Sequence, residues 1–139
     1  MAVPTDTRDT YAEDRTRSVV QAFYDNSLRA DLDGVAKILH PDVVNPEPAS
    51  LPYGGTHKGR DEVLKLLAEL YSRVDLDAVV IGDILVNSER AAAFLEVPFE
   101  SGDSARNQTM LVVETFVIRD GLIVEIRPYY FDTAAFAAR

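Results

Sequence analysis

The sequence predicts an α+β domain in which three N-terminal helices cover one face of a mainly antiparallel sheet. Apolar residues recur at helical spacing up to about residue 74, and from Asp75 onward polar and apolar residues alternate with a period of two. Only short turns separate the alternating segments, and such turns join antiparallel neighbours. A length of 139 residues with 47% hydrophobic residues suits one domain with its own core.

The first helix is expected to follow a short polar tail. Residues 1–10 contain no periodic apolar residues, so we expect a tail there and a single domain over residues 11–139. The helix lies within YAEDRTRSVVQAFYDNSLRAD. One face of it carries Val19, Val20, Phe23, Tyr24, Ser27 and Leu28.

Two further helices, separated by a loop, are expected before the sheet. DLDGVAKILHPD is typical of a short helix that Asp31 or Asp33 caps and that Pro41 prevents from continuing. GRDEVLKLLAELYSRV has helical spacing and acidic residues at its positively polarised start. Between them, residues 43–59 are rich in proline and glycine and are expected to form an exposed loop, although the first two, both valine, are typical of a strand.

Four consecutive strands are expected to complete the chain as an antiparallel meander. They lie in the segments DLDAVVIGDILV, RAAAFLEVPFES, RNQTMLVVETFVI and LIVEIRPYYFD. Turn-forming residues at NSER, SGDSAR and RDG join them. Both faces of the sheet carry apolar side chains. We therefore expect one face to meet the helices and a cavity, and the other to meet a second subunit in a homodimer.

Charge and composition exclude several classes of function. The formal net charge is -9, and no stripe of Lys and Arg is present, so nucleic acid and anionic membranes are poor partners. No segment approaches the ~20 apolar residues of a membrane span, and the acidic start does not resemble a signal peptide, so we expect a cytoplasmic location. With no cysteine and only His40 and His57, neither a metal nor another cofactor is expected.

One carboxylate is out of place in the predicted third strand. Strict alternation puts Glu114 on the same face as Met110, Val112, Phe116 and Ile118. Burial among apolar side chains removes hydration, so the pKa of an unpaired carboxyl rises there and it can stay protonated near neutral pH, as a general acid requires. Two alternatives remain open, because this face could be partly solvated or Glu114 could pair with an arginine across the sheet.

A second carboxylate lies in the proline-rich segment. Glu47 stands between Pro46 and Pro48, which restrain the backbone and favour a carboxylate held at the mouth of a pocket over a solvated loop charge. His57 either assists this carboxylate or is an exposed loop residue. Tyr53 either packs under the loop or lines the pocket.

The order of these elements resembles a known superfamily. A helix, a short helix, the HPDVV strand, a proline-rich loop ending in KGRDEV, a helix and a four-stranded meander ending in aromatic residues resemble the nuclear transport factor 2-like superfamily over residues 11–136. Within it the chain is most similar to the SnoaL-like polyketide cyclases and the ketosteroid isomerases. The resemblance implies a cone-shaped half-barrel, also called cystatin-like, in which a curved sheet and the helices enclose one apolar pocket.

The resemblance also implies roles for both carboxylates. In ketosteroid isomerases an aspartate after the first short strand is the general base, and counting without gaps from HPDVV puts this position on Glu47. A second, protonated acid on the penultimate strand holds the enolate oxygen, and counting back from RDG puts it on Glu114. The family's oxyanion tyrosine falls on Phe23, with Tyr24 next to it and ~100° further around the helix. Tyr130 falls at a pocket-lining aromatic position.

The expected site combines these residues with apolar side chains. Glu47 and Glu114 are the predicted catalytic residues. The residues expected to line the pocket or to assist are Tyr24, Tyr53, His57, Met110, Val112, Phe116, Ile126 and Tyr130. The expected function is cofactor-independent acid/base catalysis on a lipophilic polyketide- or terpenoid-type molecule in secondary metabolism, by an isomerase, a cyclase or an epoxide hydrolase-type cyclase. The alternative is a non-catalytic small-molecule-binding or dimeric interaction module of the same fold.

Overall fold

A computed structural model describes residues 10–100 and 107–137 of the chain. The helices are α1 (Thr10–Leu28), α2 (Leu32–Ala36), α3 (Arg60–Arg73) and α4 (Thr133–Ala137), with a single 3-10 turn at Leu76–Ala78. The strands are β1 (Leu39–Glu47), β2 (Gly55–Lys58), β3 (Val80–Val86), β4 (Arg90–Glu100), β5 (Asn107–Arg119) and β6 (Leu122–Tyr130). Within the described residues they form one curved six-stranded sheet in the order β2-β1-β6-β5-β4-β3. This architecture confirms the predicted α+β class and the cone-shaped fold.

The helices carry the apolar faces that their sequences predict. Val20 and Phe23 of α1 are buried, as are Val63 and Leu66 of α3. At the start of α3, Gly59 adopts a φ of +90°, a conformation that favours glycine. The acidic side chains that follow it lie in the first turn, where the helix dipole favours negative charge.

The second helix is shorter than its sequence predicts. Asp31 caps it, because its carboxylate accepts a hydrogen bond of 2.9 Å from the amide of Gly34. The helix ends at Ala36, and Leu39 already begins β1. The expectation that Pro41 ends this helix was therefore wrong, since Pro41 lies inside the strand.

The predicted meander of four antiparallel strands is confirmed. β3, β4, β5 and β6 pair in sequence order, each antiparallel to the next. Asp120 and Gly121 have φ values of 53° and 78°, so the turn between β5 and β6 has the paired positive φ of a tight hairpin turn. The first of these strands begins at Val80, because Asp75 caps the 3-10 turn before it. The SGDSAR turn lies outside the described residues.

Residues 43–59 do not form one exposed loop, and this expectation was wrong. β1 continues through Pro46 to Glu47, and β2 pairs with it antiparallel at the edge of the sheet. The parallel partner β6 pairs with β1 only as far as Val44. Pro46 therefore lies beyond the β6 pairing, where a strand tolerates the missing amide hydrogen.

The core lies between the helices and one face of the sheet, and the opposite face is partly apolar. Phe94, Leu111 and Tyr129 are 45%, 52% and 57% exposed on that outer face. Of the predicted tail, only Thr10 is described, and it opens α1. None of the helices in the described part of the chain has both the length and the apolar character needed to span a bilayer.

Candidate active site

A cavity lies between α1, α3 and the inner face of the sheet. The cavity has a volume of about 130 Å³, counted as the space that the centre of a water molecule can occupy. This volume gives room for an organic ligand rather than for one or two waters. Most of its wall is aliphatic or aromatic. The polar and ionisable side chains of the wall are Tyr24, Ser27, Asn45, Glu47, Tyr53, Tyr71, Arg73, Glu114 and Tyr130.

Glu47 ends β1 with its carboxylate directed into this cavity. Alternate residues Val43, Asn45 and Glu47 are buried, so the pleat of the strand turns all three towards the inside. The amide nitrogen of Asn45 donates to Oε2 of Glu47 at 2.9 Å, and the hydroxyl of Tyr130 donates to Oε1 at 2.7 Å. The hydroxyls of Tyr53 and Tyr130 are 3.1 Å apart. Both carboxylate oxygens of Glu47 are therefore held by protein donors.

The electrostatic environment of Glu47 combines opposing effects. Burial, which leaves it 8% exposed, disfavours the charged form and raises its pKa. The hydrogen bond from Tyr130 lowers the pKa, Glu114 raises it when that group is ionised, and the hydrogen bond from Asn45 lowers it. Burial dominates, and the pKa rises from 4.5 to about 7. The group can therefore gain and lose a proton near neutral pH.

Glu114 lies in the middle of β5 on the inner face of the sheet. Its strand neighbours on this face, Met110, Val112, Phe116 and Ile118, are all buried, as the alternation predicts. Burial raises the pKa of the Glu114 carboxyl, and a hydrogen bond of 2.6 Å from the hydroxyl of Tyr24 to Oε1 opposes this effect. That bond, rather than an arginine across the sheet, is the polar contact that the described residues make with this carboxyl.

The two oxygens of Glu114 differ in their surroundings. Oε1 holds the Tyr24 hydroxyl, whereas no residue of the described segments donates to Oε2. Every fully buried polar side-chain atom in those segments has a hydrogen-bond partner. Because Oε2 has none, it must retain accessible surface, and the side chain of Glu114 lines the cavity. An O–H placed on Oε2 can therefore donate to a ligand.

Tyr24 reaches the site although its neighbour occupies the position counted for the oxyanion tyrosine. Phe23 and Tyr24 are both buried, because α1 packs across the sheet with a broad apolar face. The rings of both contact Phe116 of β5 edge to face, with centroids 5.3 Å and 5.8 Å apart. This packing directs the hydroxyl of Tyr24 to Glu114, and burial raises the pKa of Tyr24, so the hydroxyl stays protonated.

The pattern of the SnoaL-like domain matches residues 20–126, which is most of the chain. The chain belongs to the SnoaL-like domain family. No curated protein matches it in sequence.

Solved structures share the fold of this SnoaL-like protein. An NTF2-like protein of unknown function from Burkholderia pseudomallei is 25% identical, covers 86% of this chain and 92% of its own, and gives a TM-score of 0.73. A putative polyketide cyclase from Xanthomonas campestris is 22% identical, with 91% and 98% covered and a TM-score of 0.72. A putative ketosteroid isomerase from Kribbella flavida is 19% identical, with 86% and 80% covered and a TM-score of 0.69. The likeness to the last two shows the fold alone.

The structure brings some of the predicted site residues together and separates others. With the two glutamates, the cavity wall contains Tyr24, Tyr53, Val112 and Tyr130. Met110, Phe116 and Ile126 are buried, but they support the wall from behind rather than line it. His57 lies on β2 outside the cavity, where its Nε2 bonds to the backbone carbonyl of Tyr53 at 2.8 Å. It therefore holds the hairpin and does not contact Glu47.

Four polar residues of the cavity were not predicted. Asn45 was missed because β1 was expected to end earlier; its alternation with Val43 and Glu47 is the signal that could have found it. Tyr71 and Arg73 lie at the end of α3, and Arg73 forms an ion pair of 2.8 Å with Glu69. Ser27 was assigned to the buried face of α1, but not to the site.

The cavity contains no cluster of side chains suited to a metal ion. Within residues 10–100 and 107–137, no three His, Cys, Asp or Glu side chains lie close enough together to bind one. The polar groups of the wall are instead two carboxyls, four tyrosine hydroxyls, a serine, an asparagine and an arginine. Such a set can transfer protons and donate hydrogen bonds.

Proposed function

We propose that this protein is a cofactor-independent acid/base enzyme acting on a lipophilic, polyketide- or terpenoid-type molecule bound in the cavity. The observation that carries the proposal is the unequal hydrogen bonding of two carboxyls in an apolar cavity. Glu47 accepts a hydrogen bond on each oxygen, whereas Glu114 accepts on one oxygen and leaves the other to the cavity. Burying two carboxyls is unfavourable, so a passive apolar binding site gains nothing from them.

Glu47 is the proposed general base. Its two donors, Asn45 and Tyr130, favour the carboxylate over the acid, and each oxygen keeps a second lone pair for a substrate proton. A pKa of about 7 matches the working pH, where a base is both available and strong enough to take a proton. Glu47 would remove a proton from a carbon next to a carbonyl group.

Glu114 is the proposed hydrogen-bond donor to the oxygen that gains charge. Burial favours its neutral form, and the bond from Tyr24 to Oε1 places the acid proton on Oε2. When the C–H electron pair moves towards the carbonyl, the oxygen becomes an enolate and the bond from Oε2 strengthens. Tyr24 contacts Glu114, so it acts as a positioning residue in this scheme.

The same pair supports more than one outcome with balanced protons. In an isomerisation, the proton on Glu47 returns to a different carbon. In an aldol-type cyclisation, the enolate carbon bonds to an internal carbonyl carbon, whose oxygen takes the proton. In epoxide opening, Glu47 takes the proton of an internal hydroxyl, that oxygen attacks an epoxide carbon, and Glu114 gives its proton to the released oxygen. The positions of the two carboxyls support all three reactions.

We also propose that two copies pair through the outer face of the sheet. Phe94, Val113 and Tyr129 stand opposite one another on β4, β5 and β6, so they form one row across three strands. Leu111 lies on the same face, one pleat further along β5. A contiguous apolar surface of this kind favours a protein contact.

Hydrogen exchange tests the acid/base proposal without a known substrate. Bicyclic ketones such as β-tetralone are incubated with the protein in deuterated buffer, and loss of their α-proton signals is followed by NMR. We expect exchange above the buffer rate in wild type and a loss of about 100-fold in Glu47→Gln, because a positioned base contributes about 10²–10⁴. Glu114→Gln should lose about 10-fold to 100-fold, whereas Glu89→Gln, at an exposed carboxylate of the turn between β3 and β4, should match wild type.

The exchange assay also separates the enzyme from the alternative. A non-catalytic binding protein of the same fold would bind the ketones and leave their α-protons at the buffer rate. Exchange at that rate with every ketone, or full exchange in both glutamine variants, would remove the proposed mechanism.

A further inference from the structure

Ser27 and Tyr71 form a polar pair in the cavity wall that the acid/base scheme does not use. Ser27 lies on α1 and is 6% exposed, and Tyr71 lies on α3. The hydroxyl of Tyr71 donates to Oγ of Ser27 at 2.5 Å. Burial raises the pKa of Tyr71, so its hydroxyl keeps the proton that it donates. Both side chains line the cavity.

In this arrangement the hydroxyl hydrogen of Ser27 has no acceptor among the described residues. Ser27 accepts from Tyr71, and within residues 10–100 and 107–137 it donates to no other group, including the carbonyl one turn back in its helix that serines often use. A buried hydroxyl that lines a cavity and accepts one hydrogen bond can donate its own to a ligand. The pair therefore presents one O–H donor to the cavity.

We propose that Ser27 is a second oxygen-binding subsite, so the ligand carries at least two oxygen functions on one lipophilic frame. Ser27 follows Tyr24 by three residues, and side chains at this spacing on a helix lie about 5–6 Å apart between Cβ atoms. The hydroxyl of Tyr24 is hydrogen-bonded to Glu114, so the position of Tyr24 shows where Glu114 lies. One ligand oxygen would thus bind Glu114 and a second would bind Ser27, one helical turn along α1.

The subsite narrows the substrate class of the proposed enzyme. A hydrocarbon frame with one carbonyl would leave the buried Ser27 donor without an acceptor in a largely apolar wall, which is unfavourable. A frame with a second carbonyl, ether or hydroxyl oxygen would satisfy it. The inference rests on the proposed function only in placing the first oxygen at Glu114.

Matched aromatic probes test the subsite by binding. Dissociation constants are measured by calorimetry for naphthol, with one hydroxyl, and for the set of dihydroxynaphthalenes. At least one dihydroxy isomer should bind wild type about 5-fold to 10-fold more tightly than naphthol, the effect of one added hydrogen bond. Ser27→Ala removes the donor and keeps the helix, so it should abolish this gain and leave naphthol affinity unchanged.

Ser72→Ala is the matched control, because it removes an exposed serine hydroxyl of α3 that does not line the cavity. It should retain the gain for the dihydroxy isomer. The proposal is overturned if no isomer gains over naphthol, or if the gain survives in Ser27→Ala.

The binding test and the exchange test can fail independently of each other. A Ser27-dependent gain without ketone exchange would support the subsite and contradict the catalytic proposal. Ketone exchange without a Ser27-dependent gain would support the catalytic proposal and contradict the subsite.

Discussion

Two glutamates of one cavity differ because of the donors around them. Glu47 accepts hydrogen bonds from Asn45 and Tyr130, while among the described residues Glu114 accepts one from Tyr24 alone. Burial raises the pKa of both carboxyls, and each donor that contacts the charged form opposes that rise. In the proposed scheme, the two donors favour the charged base at Glu47, and burial favours the neutral acid at Glu114.

Removal of the Tyr130 hydroxyl should shift the pH dependence of exchange. The proposed base Glu47 would act in its ionised form, so exchange should rise with pH through about 7 in wild type. Tyr130→Phe removes a donor that lowers the Glu47 pKa, so the rise should move to higher pH. Tyr11→Phe, at an exposed tyrosine of α1 outside the cavity, is the control and should not move it. A rise at unchanged or lower pH in Tyr130→Phe would contradict the assigned role.

The raised pKa of Glu47 also makes a prediction about stability. A carboxyl with a pKa of 4.5 when unfolded and about 7 when folded stabilises the fold below 4.5 and loses that contribution as pH rises through 7. The shift corresponds to about 3 kcal/mol. Urea unfolding should therefore show wild type losing about 3 kcal/mol relative to Glu47→Gln between pH 4.5 and pH 8. Glu89→Gln should show no such trend. If the stability difference between wild type and Glu47→Gln does not change with pH, the burial argument is contradicted.

The sequence reveals the site residues unequally. Glu114 is found because strand alternation places it among apolar residues, and this needs only local information. Its partner Tyr24 is 90 positions away, and Glu47 and Tyr130 are 83 positions apart. Contacts over such separations depend on how α1 crosses the sheet and on which strands pair, and neither follows from the period of any one segment.

At the level of elements, α1 and β5 are joined by aromatic rings that also position the site. Phe116 contacts both Phe23 and Tyr24, and it is 1% exposed. Two edge-to-face contacts, from Phe23 and from Tyr24 to Phe116, help to fix where α1 sits over β5. The position of the Tyr24 hydroxyl is thus set by core packing.

Truncation of this contact should affect both stability and activity. Phe116→Ala should lower the free energy of unfolding by about 3–5 kcal/mol, because it leaves a cavity in the core. It should also reduce ketone exchange, because Tyr24 loses the ring that positions it. Tyr11→Ala, at an exposed aromatic of the same helix, should change stability by about 0.5 kcal/mol or less. Unfolding by urea and the exchange assay measure both effects, and a Phe116→Ala variant as stable as wild type would contradict this role.

The elements with a clear period were predicted well, and those without one were not. α3 and the β3–β6 meander follow their apolar patterns, so their sequence segments identified them. β1 beyond Val44 and β2 were missed because proline and glycine dominate residues 45–55, and a short edge strand has no periodic signal. Their formation depends on pairing with each other at the sheet edge, which is a tertiary effect.

At the scale of the whole molecule, the sheet has two apolar faces with different uses. The inner face and the helices form the cavity, and the outer face exposes the row that contains Phe94 and Tyr129. The sequence predicted this two-sided character from the mixed strands.

The outer face should hold two copies together in solution. Sedimentation at micromolar concentration should show a particle of about twice 15.4 kDa. Leu111→Asp places a charge in the proposed contact and should yield the single chain. Ala68→Asp on the exposed face of α3 introduces the same charge elsewhere and should leave the pair intact. If wild type sediments as a single chain, the proposed dimer is wrong, and the proposal for the cavity is unaffected.

The most direct test of the central claim is a titration of the two carboxyls themselves. Carbon-13 labelling of the glutamate side chains allows NMR to follow each carboxyl with pH. We predict one resonance that titrates near pH 7 and disappears in Glu47→Gln. A second should titrate above the usual range of a glutamate and disappear in Glu114→Gln. If every glutamate carboxyl of the wild type titrates below pH 5, the cavity does not hold an acid and a base, and the account is wrong.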